Sequence, residues 1–179
     1  HNIYVIEMNA TVTATAHSVP KKVMTNSYLE AIVDTSDEWI RSRTGIVQRH
    51  VVDESEATSD ISTEIAKNLL AKRGIGPEEI DVIIVGTVTP DHFTPSTAAI
   101  VQKNINAKNA WGFDLSAACS GFLYGLITGA NFIESGQHKK VMVIGVDTMT
   151  SILDFQDRDT CVIFGDGGGG VILEPTNHN

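Results

Sequence analysis

Two short runs constrain the fold of this chain more than any other feature: Asp81–Val85 (DVIIV) and Val141–Gly145 (VMVIG). Neither alternates apolar with polar residues, so neither reads as a strand with one wet face. Both are far shorter than the roughly 20 apolar residues of a membrane-spanning helix. Strands of this kind are buried on both sides, and helices packed above and below are the usual cover. The sequence supplies such helices. Residues Ser59–Lys72 (SDISTEIAKNLLAK) put Ile61, Ile65, Leu69 and Leu70 on one helical face, with Ser59 as the expected cap and Arg73–Gly74 as the stop.

The same pattern continues along the chain. A strand is expected over Asn9–Ala16, ended by Pro20. Helical pieces are expected over Asn26–Arg43, capped by Asn26 and Ser36 and closed by Gly45. Pro95–Ser96 leads into a helix over Thr97–Asn104, Ala110–Leu115 reads as a strand, and a long helix is expected near Cys119–Ser135. Cys161–Phe164 and Val171–Leu173 read as strands around the glycine run 167–170. The class is α/β, a mixed sheet with helices on both faces. No internal repeat or low-complexity linker interrupts it, so residues 9–179 form one domain. Residues 1–8 are expected to be a leader or expression remnant.

Composition narrows the partners. The formal charge is −9, from 22 acidic and 13 basic residues. An acidic chain without a basic cluster is not expected to take nucleic acid as its main partner. The two cysteines, Cys119 and Cys161, sit in no Cys or His spacing suited to zinc, so no metal site is expected. A reduced, cytoplasmic setting with no membrane span is the simplest expectation.

Phe113–Leu126 (FDLSAACSGFLYGL) carries the chemistry. A strand runs into a turn of small residues, and Cys119 falls where a long helix begins. Unpaired N–H groups and the helix dipole at such a place favour a thiolate, the reactive form of cysteine. The same N–H groups can stabilise an oxyanion. The alternative is that Cys119 is a small buried hydrophobe, as free cysteine often is. Cys161 leads into the expected strand CVIF and is read as structural.

Five blocks carry a resemblance: Val33–Ile46 (VDTSDEWIRSRTGI), Thr89–Pro90 with Pro95–Ser96, Phe113–Tyr124, Asp157–Thr160, and Phe164–Gly168 (FGDGG). In this order they resemble the β-ketoacyl-acyl-carrier-protein synthase III family of the thiolase superfamily, the initiating condensing enzymes of type II fatty acid synthesis. The resemblance implies a layered thiolase-like fold, of which this chain is the amino-terminal one of two duplicated halves, with a mixed five-stranded sheet. It implies acyl transfer from acyl-coenzyme A to Cys119, then decarboxylative condensation with malonyl-acyl-carrier protein, the covalent intermediate splitting one hard step into two. Coenzyme A thioester is a substrate here, and no permanently bound cofactor is implied. Trp39 matches the aromatic residue that stacks on the adenine, with Thr35, Arg43 and Arg158 beside it. The glycine run is read as a tight turn.

Two departures bear on function. The family's catalytic His and Asn belong to the carboxy-terminal half, and none of the six histidines here lies in a matching motif. The second half is expected in cis or as a second chain, and the resemblance further implies a homodimer. Thr94 stands where many members carry Phe that closes the acyl pocket of the partner subunit. The smaller side chain implies a longer channel unless Phe93 fills it. Against the condensing enzyme stands a non-catalytic acyl- or partner-binding module lacking the His/Asn pair. A related acyltransferase or hydroxymethylglutaryl-type synthase is a third reading.

Overall fold

The computed structural model describes residues 9–176; the expected leader over residues 1–8 lies outside them. In chain order the elements are β1 (Asn9–Ser18), β2 (Lys22–Thr25), α1 (Asn26–Glu30), α2 (Asp37–Thr44), β3 (Gln48–Val51), α3 (Thr58–Arg73), β4 (Val82–Gly86) and α4 (Thr97–Asn104). There follow β5 (Trp111–Leu115), α5 (Gly121–Glu134), β6 (Val141–Thr148), α6 (Arg158–Cys161) and β7 (Asp166–Thr176). Five strands form one sheet in the order β1-β7-β6-β4-β5, and β2 pairs with β3 as a separate two-stranded sheet. β4 runs parallel to β5 and β6, whereas β7 runs antiparallel to β6 and β1, so the sheet is mixed.

The unbroken apolar runs now have a physical reason. Side chains alternate across a strand, so each run feeds two cores. Ile83, Val85, Met142 and Ile144 pack with Ile61, Ile65 and Leu69 of α3 and with Ala98 and Val101 of α4. Val82, Ile84, Val141 and Val143 pack on the other face with Ile133, Phe122 and Leu126 of α5. Burying each large aliphatic side chain contributes roughly 1.5–3 kcal/mol. Burial on both faces is therefore the main source of stability.

Glycines let α5 lie directly on the sheet. A Cβ on Gly129 would stand 3.0 Å from Leu173 and Val141, and one on Gly125 would stand 3.0 Å from Val143. The opposite face of α5 leaves Leu123, Tyr124 and Ile127 about half exposed. A third cluster, Leu29, Ile40, Cys161 and Val162, packs α1, α2 and α6 against one another.

Several expectations need correction. The glycine run is no turn: Gly167–Gly170 lie inside β7, paired with β1 and β6. Gly168 and Gly170 leave no room for a side chain: a Cβ would come 2.7 Å from Gly145 O or 2.9 Å from Val143 O of β6, and at either position 3.0 Å from Ile65 of α3. Cys161 does not enter a strand. It ends α6, and Val162–Ile163 form the turn that follows. Ser36 caps α2 and Gly45 ends it at φ 73°, as expected, but α1 is capped by Thr25, not Asn26. α3 starts at Thr58, with Asp60 accepting from the Ala57 N–H, so Ser59 is inside the helix. The small sheet of β2 and β3 has no apolar alternation (KVMT and QRHV), and the sequence reading passed over it.

Candidate active site

Strand β5 ends at Leu115, and the chain then bends sharply. Ala118 takes a left-handed conformation at φ 47°, which costs a non-glycine residue about 1–2 kcal/mol. That kink leads into a single 3-10 turn, Ala118–Ser120, from which α5 continues. Cys119 therefore stands at the amino-terminal approach to a 14-residue helix, exposed. Among the described residues Cys119 is thus exposed rather than packed as a small hydrophobe. Cys161, by contrast, is fully buried. Burial pushes its thiol up from the ordinary value, Asp157 adds to this, and the nearby Arg49 guanidinium opposes it only in part.

Cys119 opens on a cavity of about 450 Å³ lined by Ala118, Phe122, Val146, Asp147, Gly165 and glycines of β7. Here the glycine run has a second consequence, since bare backbone on this wall leaves the space for a ligand. Asp147 comes from the carboxyl end of β6, the edge where open α/β sheets commonly place their ligands. Its Oδ1 accepts from Thr87 Oγ1 at 2.9 Å, Val88 N at 2.8 Å and Thr89 Oγ1 at 3.0 Å. Thr89 Oγ1 in turn accepts from Thr148 N at 2.8 Å, and Thr58 hydrogen-bonds Thr148. This network anchors the start of the loop that carries Phe93 and Thr94.

The sequence reading missed Asp147, although a carboxylate directly after the apolar run VMVIGV was visible. It missed Asp166 as well. This buried carboxylate accepts from Val52 N at 2.7 Å and Thr150 N at 2.8 Å, tying β3 and the segment after β6 to the start of β7.

Phe93 and Thr94 do not line the Cys119 cavity of their own chain. They border a separate hollow of about 620 Å³ with Pro90, Asp91, His92 and Ile152. Phe93 is fully exposed, and the Thr94–Pro95 peptide is cis.

Trp39, Arg43 and Arg158 do come together. The Arg158 guanidinium lies 4.1 Å from the Trp39 ring centroid, and that of Arg43 lies 4.5 Å away. Trp39 is on α2, whose start is fixed by the Ser36 cap; Arg158 is the first residue of α6, capped by Asp157. Thr35 precedes the Ser36 cap. Its Oγ1 and Arg158 Nε are buried without a hydrogen-bond partner among the described residues. Unpaired buried polar atoms are costly and call for a partner. The cavity at Cys119 is lined by none of Thr35, Trp39, Arg43 and Arg158.

Of the histidines, His50 Nδ1 bonds the Pro20 carbonyl at 2.6 Å, and His138 packs against Trp111 and Phe132. Among the described residues no three His, Cys, Asp or Glu side chains group as a metal site. No helix of the described residues is long and apolar enough to cross a membrane.

Residues 113–179 match the family model of 3-oxoacyl-[acyl-carrier-protein] synthase III. The match begins on β5, just before the cysteine turn. A β-ketoacyl-[acyl-carrier-protein] synthase III of Chlorobaculum tepidum is 62% identical over 171 residues, covering 95% of this chain. Over nearly its whole length the chain is thus similar to members of the β-ketoacyl-acyl-carrier-protein synthase III family. It spans about half the length of the curated relatives it matches, 52% of the Chlorobaculum protein. The family has solved structures of the same shape. The 3-oxoacyl-[acyl-carrier-protein] synthase III of Aquifex aeolicus superposes with a TM-score of 0.91 at 46% identity, over 94% of this chain and 55% of that one. The priming β-ketosynthase of the R1128 polyketide biosynthetic pathway superposes at 0.92 with 32% identity, over 99% and 54%. The fold is thus one of the two halves of a thiolase-like layered α/β architecture, its five-stranded mixed sheet covered by helices on both faces.

Proposed function

We propose that this chain supplies the acyl-accepting half of a β-ketoacyl-acyl-carrier-protein synthase III. The observation that carries the proposal is the exposed Cys119, at the amino-terminal approach to α5 and open to a cavity of about 450 Å³. The Cys119 thiolate attacks the thioester carbonyl carbon of an acyl-coenzyme A. The carbon–sulfur bond to coenzyme A breaks, its thiolate leaves and takes a proton, and an acyl-cysteine remains. Backbone N–H groups at this turn, that of Cys119 among them, hold the oxyanion. Malonyl-acyl-carrier protein then loses carbon dioxide. Its carbanion attacks the acyl carbonyl, a carbon–carbon bond forms, and the Cys119 thiolate is released with a β-ketoacyl product.

The groups that drive decarboxylation are expected outside this chain, in the second half. The apolar outer face of α5, with Leu123, Tyr124 and Ile127 half exposed, is the surface that half is expected to cover. The Trp39 ring with two guanidinium groups close to it suits an adenine nucleotide with its phosphates. Among the described residues Thr35 Oγ1 and Arg158 Nε have no hydrogen-bond partner. A homodimer in the cytoplasm completes the reading. The exposed loop of Phe93 and Thr94 reaches the partner subunit's acyl pocket, and Thr94 leaves it longer than Phe would.

The test uses the full-length enzyme. Cys119→Ala is expected to abolish release of free coenzyme A from acyl-coenzyme A. Trp39→Ala is expected to keep the reaction but raise KM for acyl-coenzyme A about five- to 150-fold, the equivalent of one stacked base. Undiminished coenzyme A release by Cys119→Ala would overturn the proposal.

A further inference from the structure

Arg49 is a buried cation whose recorded hydrogen bonds all go to neutral acceptors. The residue is 6% exposed. Its guanidinium donates to Asn26 Oδ1 at 2.9 Å, to the Val162 carbonyl at 3.1 Å and to the Met24 carbonyl at 3.2 Å. Burial alone pulls a guanidinium below its ordinary value, and Arg49 is lowered for that reason, with Cys161 opposing. An arrangement with this desolvation cost is informative through what it joins.

Asn26 is buried too, at 1% exposure, and passes the connection on. Its Nδ2 donates to Asp37 Oδ1 and to the Ile46 carbonyl, each at 2.8 Å. Asp37 is the first residue of α2, and Ile46 follows the Gly45 that ends it. Val162 is the residue that closes α6. One hydrogen-bonded chain therefore runs from the end of α6, through Arg49 and Asn26, to both ends of α2. These helices have eight and four residues, too short to hold their own positions. Yet their side chains form the stack, with Arg158 of α6 4.1 Å from Trp39 of α2. The Arg49 Cβ also backs Gly165, 2.9 Å from where a glycine Cβ would stand, and Gly165 lines the cavity at Cys119.

We infer that Arg49 and Asn26 are positioning residues that hold α2 and α6 at the spacing the Trp39–Arg158 stack requires, and so set affinity for the nucleotide end of the acyl donor. The inference rests on the proposed reading of Trp39 as a nucleotide platform, and the experiment separates the two. Three variants of the full-length enzyme are assayed with acyl-coenzyme A and with the matching acyl-pantetheine thioester, which lacks the nucleotide. Asn26→Asp keeps an acceptor for Arg49 but loses both donors and sets a carboxylate against Asp37. Asp37→Ala cuts the link to α2 from the half-exposed side, so it tests the chain even if Asn26→Asp fails to fold. Asp37→Asn retains the acceptor and is the rescue.

Asn26→Asp and Asp37→Ala are expected to raise KM for acyl-coenzyme A about two- to tenfold, the worth of one or two hydrogen bonds. Asp37→Asn is expected to restore it, and turnover of the pantetheine thioester is expected to stay within about twofold. Equal losses with both thioesters would mean a general structural role and overturn the inference. If Trp39→Ala raises KM for acyl-coenzyme A while Asp37→Ala does not, the inference fails and the nucleotide reading stands. If Trp39→Ala has no effect either, the nucleotide reading fails and takes the inference with it.

Discussion

Replacing Gly129 with Val tests how Cys119 is held. Gly129 sits on the buried face of α5, and a Cβ there would meet Leu173 Cδ1 and Val141 Cγ1 at 3.0 Å and Val143 Cγ2 at 3.2 Å. All three neighbours are buried, and two of them are β-branched residues on a central strand, with little rotamer freedom to yield. Two opposing effects decide the sign. Removing a helix glycine gains less than about 1 kcal/mol when the replacement is Val. Forcing extra carbons into a filled core costs about 1–3 kcal/mol, and Val brings three into this gap. A net loss of ~2 kcal/mol follows, which lowers Tm by about 4–8 °C in a domain of this size. Gly129→Ala should shift Tm in the same direction by less. Asn131→Ala, exposed on the same helix, should leave Tm unchanged or slightly raised. Thermal unfolding followed by circular dichroism reads all three. If Gly129→Val melts at the wild-type temperature, α5 does not rest directly on the sheet, and the placement of Cys119 derived from it is wrong.

Other outcomes follow from the same physics. Burial pushes the Glu174 carboxyl up, but hydrogen bonds from Arg73 and Thr13 and the charges of Arg73 and Lys140 outweigh burial, so its folded value is depressed. The stability it contributes is present above the ordinary value of 4.5 and is lost as pH falls through the lower folded one. The Tm advantage of the wild type over Glu174→Gln should therefore shrink as pH drops below about 4.5, and an advantage that grows on acidification would contradict this. In the full-length enzyme Thr94→Phe should shift the acyl-chain profile towards shorter donors; an unchanged profile would remove the role given to this loop.

The parts of the fold that were legible in the sequence are those where burial dictates residue type. The strands within Asp81–Val85 and Val141–Gly145 are apolar because each lies between two helix layers, and Ile61, Ile65 and Leu69 face one of those layers at helical spacing. Cys119 was legible because a strand, small residues and a glycine-bearing helix follow one another in the chain. The two-stranded sheet of β2 and β3 was not, since its four-residue strands show no apolar pattern and are defined by pairing with each other. The Gly167–Gly170 strand was misread because glycine is also the commonest turn residue, and the reason for it at Gly168 and Gly170 lies in distant residues, the β6 backbone and Ile65 of α3. Arg49 and Asn26 left no signal either. Their partners lie up to 113 positions away, and a buried Arg looks in sequence like any surface cation.

The most direct measurement is where the acyl group goes. Full-length enzyme is incubated with isotopically labelled acyl-coenzyme A, quenched in acid and digested, and the label is located by peptide mass spectrometry. The account predicts a hydroxylamine-sensitive thioester on the peptide containing Cys119 and none on that containing Cys161. Label on Cys161, or on neither cysteine while product still forms, would contradict it.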